Sequence, residues 1–242
     1  MADWFLQVKK DFITCFIDKD RWHYITQGLG NTLKIALVAV LLGVAIGTVV
    51  AILRSTYDKN AATMRPGPAR FLLGLGNAVC RIYLTVIRGT PVMIQILIMF
   101  FVIFSNARDG VPVAMLTFGI NSGAYVAEII RGGIMAVDAG QMEAGRSLGF
   151  NFVQTMWYIV IPQALKSVLP ALANEFIVLL KETAVVGYIG LSDLTYAANT
   201  VGGNTYEYLY PLLLAAAIYL IMVMFFSYLV GRLERRLRSS ER

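Results

Sequence analysis

The sequence predicts an all-α membrane protein of about five transmembrane helices, and three observations carry that expectation. Of the 242 residues, 57% are hydrophobic and only 15% are charged, against about 25% charged in an ordinary soluble domain. Mean hydropathy is +0.65. Uncharged runs of spanning length recur along the chain, and a single crossing needs about 20 mostly apolar residues. This composition excludes a typical soluble enzyme, a disordered regulator and a secreted disulfide scaffold. The only histidine is His23, which argues against a histidine-based metal site or proton relay. Cys15 and Cys80 stand far apart and outside any Cys-x-x-Cys pair, so nothing requires them to meet.

The elements follow in chain order. Residues 1–30 are not a signal sequence, because Asp3, Asp11, Asp18 and Asp20 interrupt them and no apolar core of suitable length is present. Trp4, Phe5, Phe12, Phe16 and Trp22 suggest a helix lying at the membrane interface; the alternative is a loosely ordered tail. The transmembrane body is expected over 31–236, with a short tail at 237–242. Span one is 35–53, an uncharged run of 19 residues. Arg65-Pro66-Gly67-Pro68 marks a turn, and 71–87 reads either as an interfacial elbow or as the first half of a long, tilted span two. Span two itself is placed at 89–107 and span three at 110–127. Span four, 162–187, is less clean because it carries Lys166, Glu175, Lys181 and Glu182, whose charges must face a bundle interior. Span five is 208–231. The insertion at 57–75 is assigned no role.

Charge sets the orientation. Net charge is +6, with 21 Lys and Arg against 15 Asp and Glu. With the 54–88 segment, the 128–166 connection and the C-terminal tail on one side, 14 of the 21 bases fall there. Five lie on the other face, and Lys34 and Lys181 fall within spans. By the positive-inside rule the first side is cytoplasmic, so the N-terminus is expected outside and the C-terminus in the cytoplasm.

Residues 138–165 do not read as a plain connection. The run 141–148 is rich in helix formers and ends at Gly149, a C-terminal cap. A short helix bounded by Gly140 and Gly149 is an object that another protein can grip; the bland alternative is an amphipathic connector. Glu143-Ala144-Gly145, then Gly149 six residues after the Glu, then Ile159-Val160-Ile161-Pro162-Gln163 resembles the EAA signature of permease subunits of ABC importers. Gly145 replaces the second Ala of that pattern, which is expected to loosen the helix by about 1 kcal/mol. Ile161 replaces a Leu. Arg88-Gly89-Thr90-Pro91, Gln95, the 121–133 segment, Asn174-Glu175-Phe176 and the 180–194 segment are similar to the polar amino-acid importers of the histidine, arginine, glutamine and glutamate group. The resemblance runs from about residue 28 to 236.

That resemblance implies a type I ABC importer permease in the bacterial cell membrane. It implies a second permease subunit, identical or different, two separate ATP-binding subunits, and an external amino-acid-binding protein. A coupling helix within 138–150, in a coupling region of 138–163, would seat Glu143, Ala144, Gly145, Arg146, Leu148 and Gly149 in a cleft of the ATPase. The sequence has no Gly-x-x-x-x-Gly-Lys-Ser/Thr loop, so ATP is expected on the partner subunits, with no cofactor, metal or catalytic residue in this chain. Arg131, three residues after Glu128, either pairs with it as an i,i+3 ion pair or contacts the ATPase.

A zwitterion crossing the membrane needs transient polar partners. Asn121, Ser122, Glu182 and Thr183 are the candidate lining, with Glu182 as the cation-binding group; Glu175 lies two helical turns before it. The competing reading pairs Glu175 and Glu182 with Lys166, Lys181 or a neighbouring subunit. Acidic lining leans towards a cationic side chain, although an acid holds the α-ammonium of any amino acid equally well. Residues 188–207 are expected to form an outer loop folding back into the mouth, with Tyr196, Asn199 and Tyr206 either meeting the binding protein or packing at the rim. The rival function is an ion-coupled secondary transporter; a membrane enzyme fails for want of a nucleophile and base on a common face.

Overall fold

A computed structural model describes residues 2–60 and 64–238. Residues 61–63 of the 57–75 insertion and 239–242 of the expected tail, with Arg242, lie outside the described residues. Helix α1 (Ala2–Phe12) precedes α2 (Trp22–Asn60), α3 (Pro68–Gly89), α4 (Val92–Ile98) and α5 (Val111–Met135). Then come α6 (Ala139–Ser147), α7 (Phe152–Thr155), α8 (Ile161–Glu182), α9 (Leu194–Thr205) and α10 (Leu209–Arg238). A π-helical turn, Met156–Val160, joins α7 to α8, so that helix continues through a proline. Pro162 has no N–H to give to the preceding turn, and the wider turn absorbs that loss.

Helices α2, α3, α5 and α10 are long and apolar enough to cross a membrane. The helical stretch from α7 through α8 matches them in length, and its charged residues set it apart in composition. Helix α2 exceeds its expected span at both ends; its 39 residues reach about 58 Å at 1.5 Å per residue.

The centre of the bundle is the contact of α2 with α5. Two glycines one turn apart on each helix let the backbones approach: Gly43 meets Ser122 and Gly123, Gly47 meets Val126 and Ala127, and Gly119 meets Leu42 and Ala39. A Cβ on Gly43 would stand 2.7 Å from Ser122 Oγ, and one on Gly47 2.6 Å from Val126 Cγ1. Lipid supplies no hydrophobic drive between helices, so small residues at matched spacing are what hold such a pair together. Around this axis Ile35, Ala36, Ala39, Ile96, Phe118, Leu179 and Leu180 close into one core that joins α2, α4, α5 and α8. Helix α10 packs at the periphery, with Ile221, Met224, Phe225 and Tyr228 exposed.

Three expectations are corrected. The 89–107 run is not one helix: the chain breaks at Thr90, held extended at φ −122°, ψ 144°, because the proline that follows disfavours the helical region. The 71–87 stretch therefore belongs to a long helix, α3, and a shorter apolar helix of 12 residues, Val92–Ile103, follows the break. The 71–87 stretch is thus part of a helix of its own, separated at Thr90 from the shorter helix that holds most of the 89–107 run. The 188–207 segment is not an outer loop either. Asp193 caps α9 by accepting from the amides of Thr195 and Tyr196, and Leu194, Ala197, Ala198 and Val201, at i, i+3, i+4 and i+7, bury against α2 and α10. Finally, Phe16 and Cys15 pack into the α9 and α10 core instead of facing lipid, while Phe12 and Trp22 remain exposed.

Candidate functional site

Two regions hold the residues singled out from sequence. The first is the hairpin of α6 and α7. Asp138 accepts from the Gly140 amide at 2.7 Å and opens α6. At the other end Gly149 has φ +85°, Phe150 N donates to Gly145 O at 3.0 Å, and Gly149 N donates to Arg146 O at 2.9 Å. That pair of bonds is a Schellman cap, which uses a left-handed glycine to satisfy the last carbonyls. Two residues on, Asn151 and Gln154 form a reciprocal capping box, each bond 2.9 Å. The helix is thus a short rod rigidly terminated at both ends, and Gln163 reaches from α8 to Gln141 at 3.0 Å to brace it.

Glu143, Ala144, Arg146, Leu148 and Gly149 are exposed on this rod, whereas Gly145 is buried. A Cβ there would stand 2.5 Å from Thr155 Cγ2 and 2.8 Å from its Oγ1, and Thr155 is itself fully buried. Glycine in place of the second Ala is therefore a packing requirement of this hairpin, not merely a weaker helix former. Leu148, Val153 and Trp157 stand exposed beside the rod. Reading the segment for charge missed Val153 and Trp157, although an apolar pair four apart was visible after Asn151.

The second region lies where α4, α5 and α8 meet. Asn121 is buried and donates to Gln95 Oε1 at 2.9 Å. Gln95 in turn donates to the carbonyls of Ile87 and Thr90, at 2.8 and 3.1 Å, so it caps the break between α3 and α4. Backbone left unpaired inside a bilayer costs several kcal/mol per group, which explains an amide side chain here. Ser122 is fully buried and donates to Glu175 Oε1 at 2.9 Å. Thr183 is fully buried, its hydroxyl spent on Leu180 O at 2.9 Å, so it lines no open surface in this conformation. Glu182 is partly exposed and has no hydrogen-bond or ion-pair partner among the described residues. The competing pairing of Glu175 and Glu182 with Lys166 or Lys181 is not formed among the described residues; Glu175 accepts from Ser122.

At the far end of α5, Glu128 meets Arg131 at 2.9 Å, as the ion-pair reading has it, and also Arg54 of α2 at 2.9 Å. Arg88 of α3 approaches to 3.9 Å, with its guanidinium over the Tyr125 ring at 5.5 Å. One carboxylate thereby ties three helices together. Around α9, Asn31 and Thr32 of α2 bond Ser192 O and Leu194 N. Burial lifts the Asp193 carboxyl above the usual aspartate range, against the pull of its bonds to Tyr196, Thr195 and Tyr219. Tyr196, Asn199 and Tyr206 remain exposed at this end.

Comparisons with known proteins agree with this architecture. Residues 61–239 match the family described as binding-protein-dependent transport system inner membrane component. The chain is 36% identical over 221 residues to the arginine transport system permease protein of Bacillus subtilis (strain 168), covering 90% of this chain and 94% of the relative. It is 34% identical over 210 residues to the glutamine transport system permease protein of Escherichia coli K12, covering 85% and 90%. Its fold superposes on the crystal structure of an amino acid ABC transporter with histidines at a TM-score of 0.79, with 40% identity and 91% and 98% of the two chains covered. An inward-facing methionine ABC transporter has the same fold at a TM-score of 0.70 and 20% identity. The small-residue contact of α2 with α5, the break between α3 and α4 and the doubly capped rod after α5 are thus the structural features of a chain that belongs to the family of inner membrane components of binding-protein-dependent transport systems.

Proposed function

We propose that this chain is the membrane-spanning subunit of an ATP-driven importer that passes a polar L-amino acid into a bacterial cell. Family membership sets aside the ion-coupled alternative, and the relatives named for arginine and glutamine transport support the substrate class. The observation that carries the mechanism is α6, a rod capped at both ends with Glu143, Arg146 and Leu148 exposed. A short element that cannot fray is suited to transmit force from a partner. The ATPase subunits grip it in a cleft and bind the ATP, and their closure moves α5 and α8, between which the hairpin is fixed. A second permease subunit, identical or different, completes the path, and Tyr196, Asn199 and Tyr206 face the external binding protein. The N-terminus lies outside and the C-terminus in the cytoplasm, following the distribution of basic residues; α1 lies along the outer interface.

Glu182 is the group proposed to meet the substrate ammonium, because it alone of the four lining candidates is partly open and unpartnered. Asn121 and Ser122 act behind it: Asn121 holds the break in span two, and Ser122 holds Glu175. Reconstitution of the chain in proteoliposomes with an ATPase and a binding protein, assayed with a panel of labelled amino acids, tests this reading. ATP-dependent uptake of one or more polar amino acids, abolished by Glu143→Ala together with co-elution of the ATPase, is the expected result. Uptake driven by an ion gradient without ATP would overturn it.

A further inference from the structure

Where the ends of α5 and α10 meet the starts of α6 and α8, a cleft of about 520 Å³ opens. Small-molecule sites run from about 300 to 1,000 Å³. Gln163, Lys166, Ser167 and Pro170 line the cleft from α8; at i, i+3, i+4 and i+7 they form one face of that helix. Asp138 lines it at the start of α6, and Glu234 from α10. At Gly133, another lining residue, α5 and α8 touch directly, since a Cβ there would stand 2.3 Å from Val168 Cγ2.

The lining carries two carboxylates, Asp138 and Glu234, and one ammonium, Lys166, with the amide of Gln163 and the hydroxyl of Ser167 beside them. This mixture selects among ligand classes. A phosphate or other polyanion would meet both carboxylates, and a simple cation would meet Lys166. An acyl chain would find one branched aliphatic residue, Val137. A molecule with a carboxylate and an ammonium on one carbon matches Lys166 and one of the acids together. A second cation, at the end of its side chain, matches the other acid. Lys166 and Glu234 already hold interactions within the chain, and a ligand of both signs shares them without leaving a charge uncompensated.

The cleft also adjoins the rod. Asp138 is the residue that caps Gly140 at 2.7 Å, and Gln163 is the one that reaches Gln141 at 3.0 Å. A ligand in the cleft therefore rests on two supports of α6. We infer that this cleft binds a free amino acid with a cationic side chain, its α-carboxylate on Lys166 and its two cationic groups on Asp138 and Glu234. The site is distinct from the lining around Glu182, which stands about 24 Å further along α8 at 1.5 Å per residue. In the orientation argued under the proposed function it faces the cytoplasm, the side to which the cargo is delivered. The choice of an amino acid rests on that reading; the charge pattern of the cleft does not.

Thermal unfolding of the full-length chain in detergent, carrying Glu182→Gln to weaken the other candidate site, tests the cleft with millimolar arginine, glutamine, agmatine or N-acetylarginine. Agmatine lacks the carboxylate, and N-acetylarginine lacks the α-ammonium. Arginine should raise the midpoint by about 3 °C or more, glutamine by less, and the two analogues by about half the arginine shift or under. Lys166→Gln and Glu234→Gln should each remove most of the arginine shift. Each is read against its own unliganded midpoint, so a less stable variant still reports, and if one fails to fold the other decides. A shift with agmatine or glutamine as large as with arginine, or an arginine shift that survives the substitutions, overturns the site. Loss of the arginine shift on adding the ATPase subunits assigns the cleft to that partner and overturns it as well. The ligand series needs neither ATP nor a binding protein. The cleft can therefore fail while ATP-driven uptake stands, and uptake can fail while arginine still binds here.

Discussion

Gly145 on α6 faces Thr155 so closely that a Cβ on the glycine would stand 2.5 Å from the threonine Cγ2. The hairpin that carries the exposed Glu143 and Leu148 is thus shut by one glycine and one buried threonine. Gly145→Ala restores the residue type of the family pattern and still overpacks this chain, at about 1–3 kcal/mol. Thr155→Ala removes both nearest atoms, so the double variant should recover most of the loss. Thermal unfolding of the four proteins in detergent gives the cycle. Additive losses would show that the two residues do not oppose one another.

The bond from Ser122 to Glu175 is buried on both sides. Ser122→Ala leaves the carboxyl without its donor, and the expected loss is about 1–3 kcal/mol. Glu175→Gln keeps an acceptor oxygen and should lose less. Midpoint temperatures in detergent decide the order; a larger loss for Glu175→Gln would mean that the charge, not the hydrogen bond, holds α8 to α5.

Gly47 meets not only Val126 Cγ1 but also the backbone nitrogen of Ala127, 2.8 Å from the place of a Cβ. Backbone cannot swing aside as a side chain can. Gly47→Ala should therefore part α2 from α5 and lower the yield of folded chain, at a cost of about 1–3 kcal/mol. Gly30, in the same helix, faces open space, and Gly30→Ala should be neutral or slightly stabilising. Equal folded yields by size-exclusion chromatography would contradict the packing role.

Glu182 lies within one residue of the end of α8 and is unpartnered, unlike Glu175. Glu182→Gln should lower labelled amino-acid uptake about tenfold or more, the equivalent of about 1.4 kcal/mol, without changing the melting temperature. Glu175→Gln should affect both. Unchanged uptake in Glu182→Gln across polar amino acids would remove it from the path.

Much of this fold was legible because the relevant signals are local. Apolar runs placed α2, α5 and α10, and Gly149 announced the cap that ends α6. Asp193 with Leu194, Ala197, Ala198 and Val201 was an equally readable helix start, obscured by treating 188–207 as a loop for its lack of base. The Asn151 and Gln154 box was in plain view as well.

What the sequence by itself determined was the membrane class, the position of most long apolar helices and the short helix ending at Gly149, since composition and helical periodicity depend on neighbours only a turn or two away. The tertiary structure alone decided which polar residues are spoken for. Asn121 bonds a residue 26 positions away, Ser122 one 53 away, and Arg54 one 74 away. These pairings arise because α2 and α5 meet along glycines and bring α3, α4 and α8 alongside. A polar group inside the bilayer must take whatever partner that packing presents, and no local pattern encodes which one it will be.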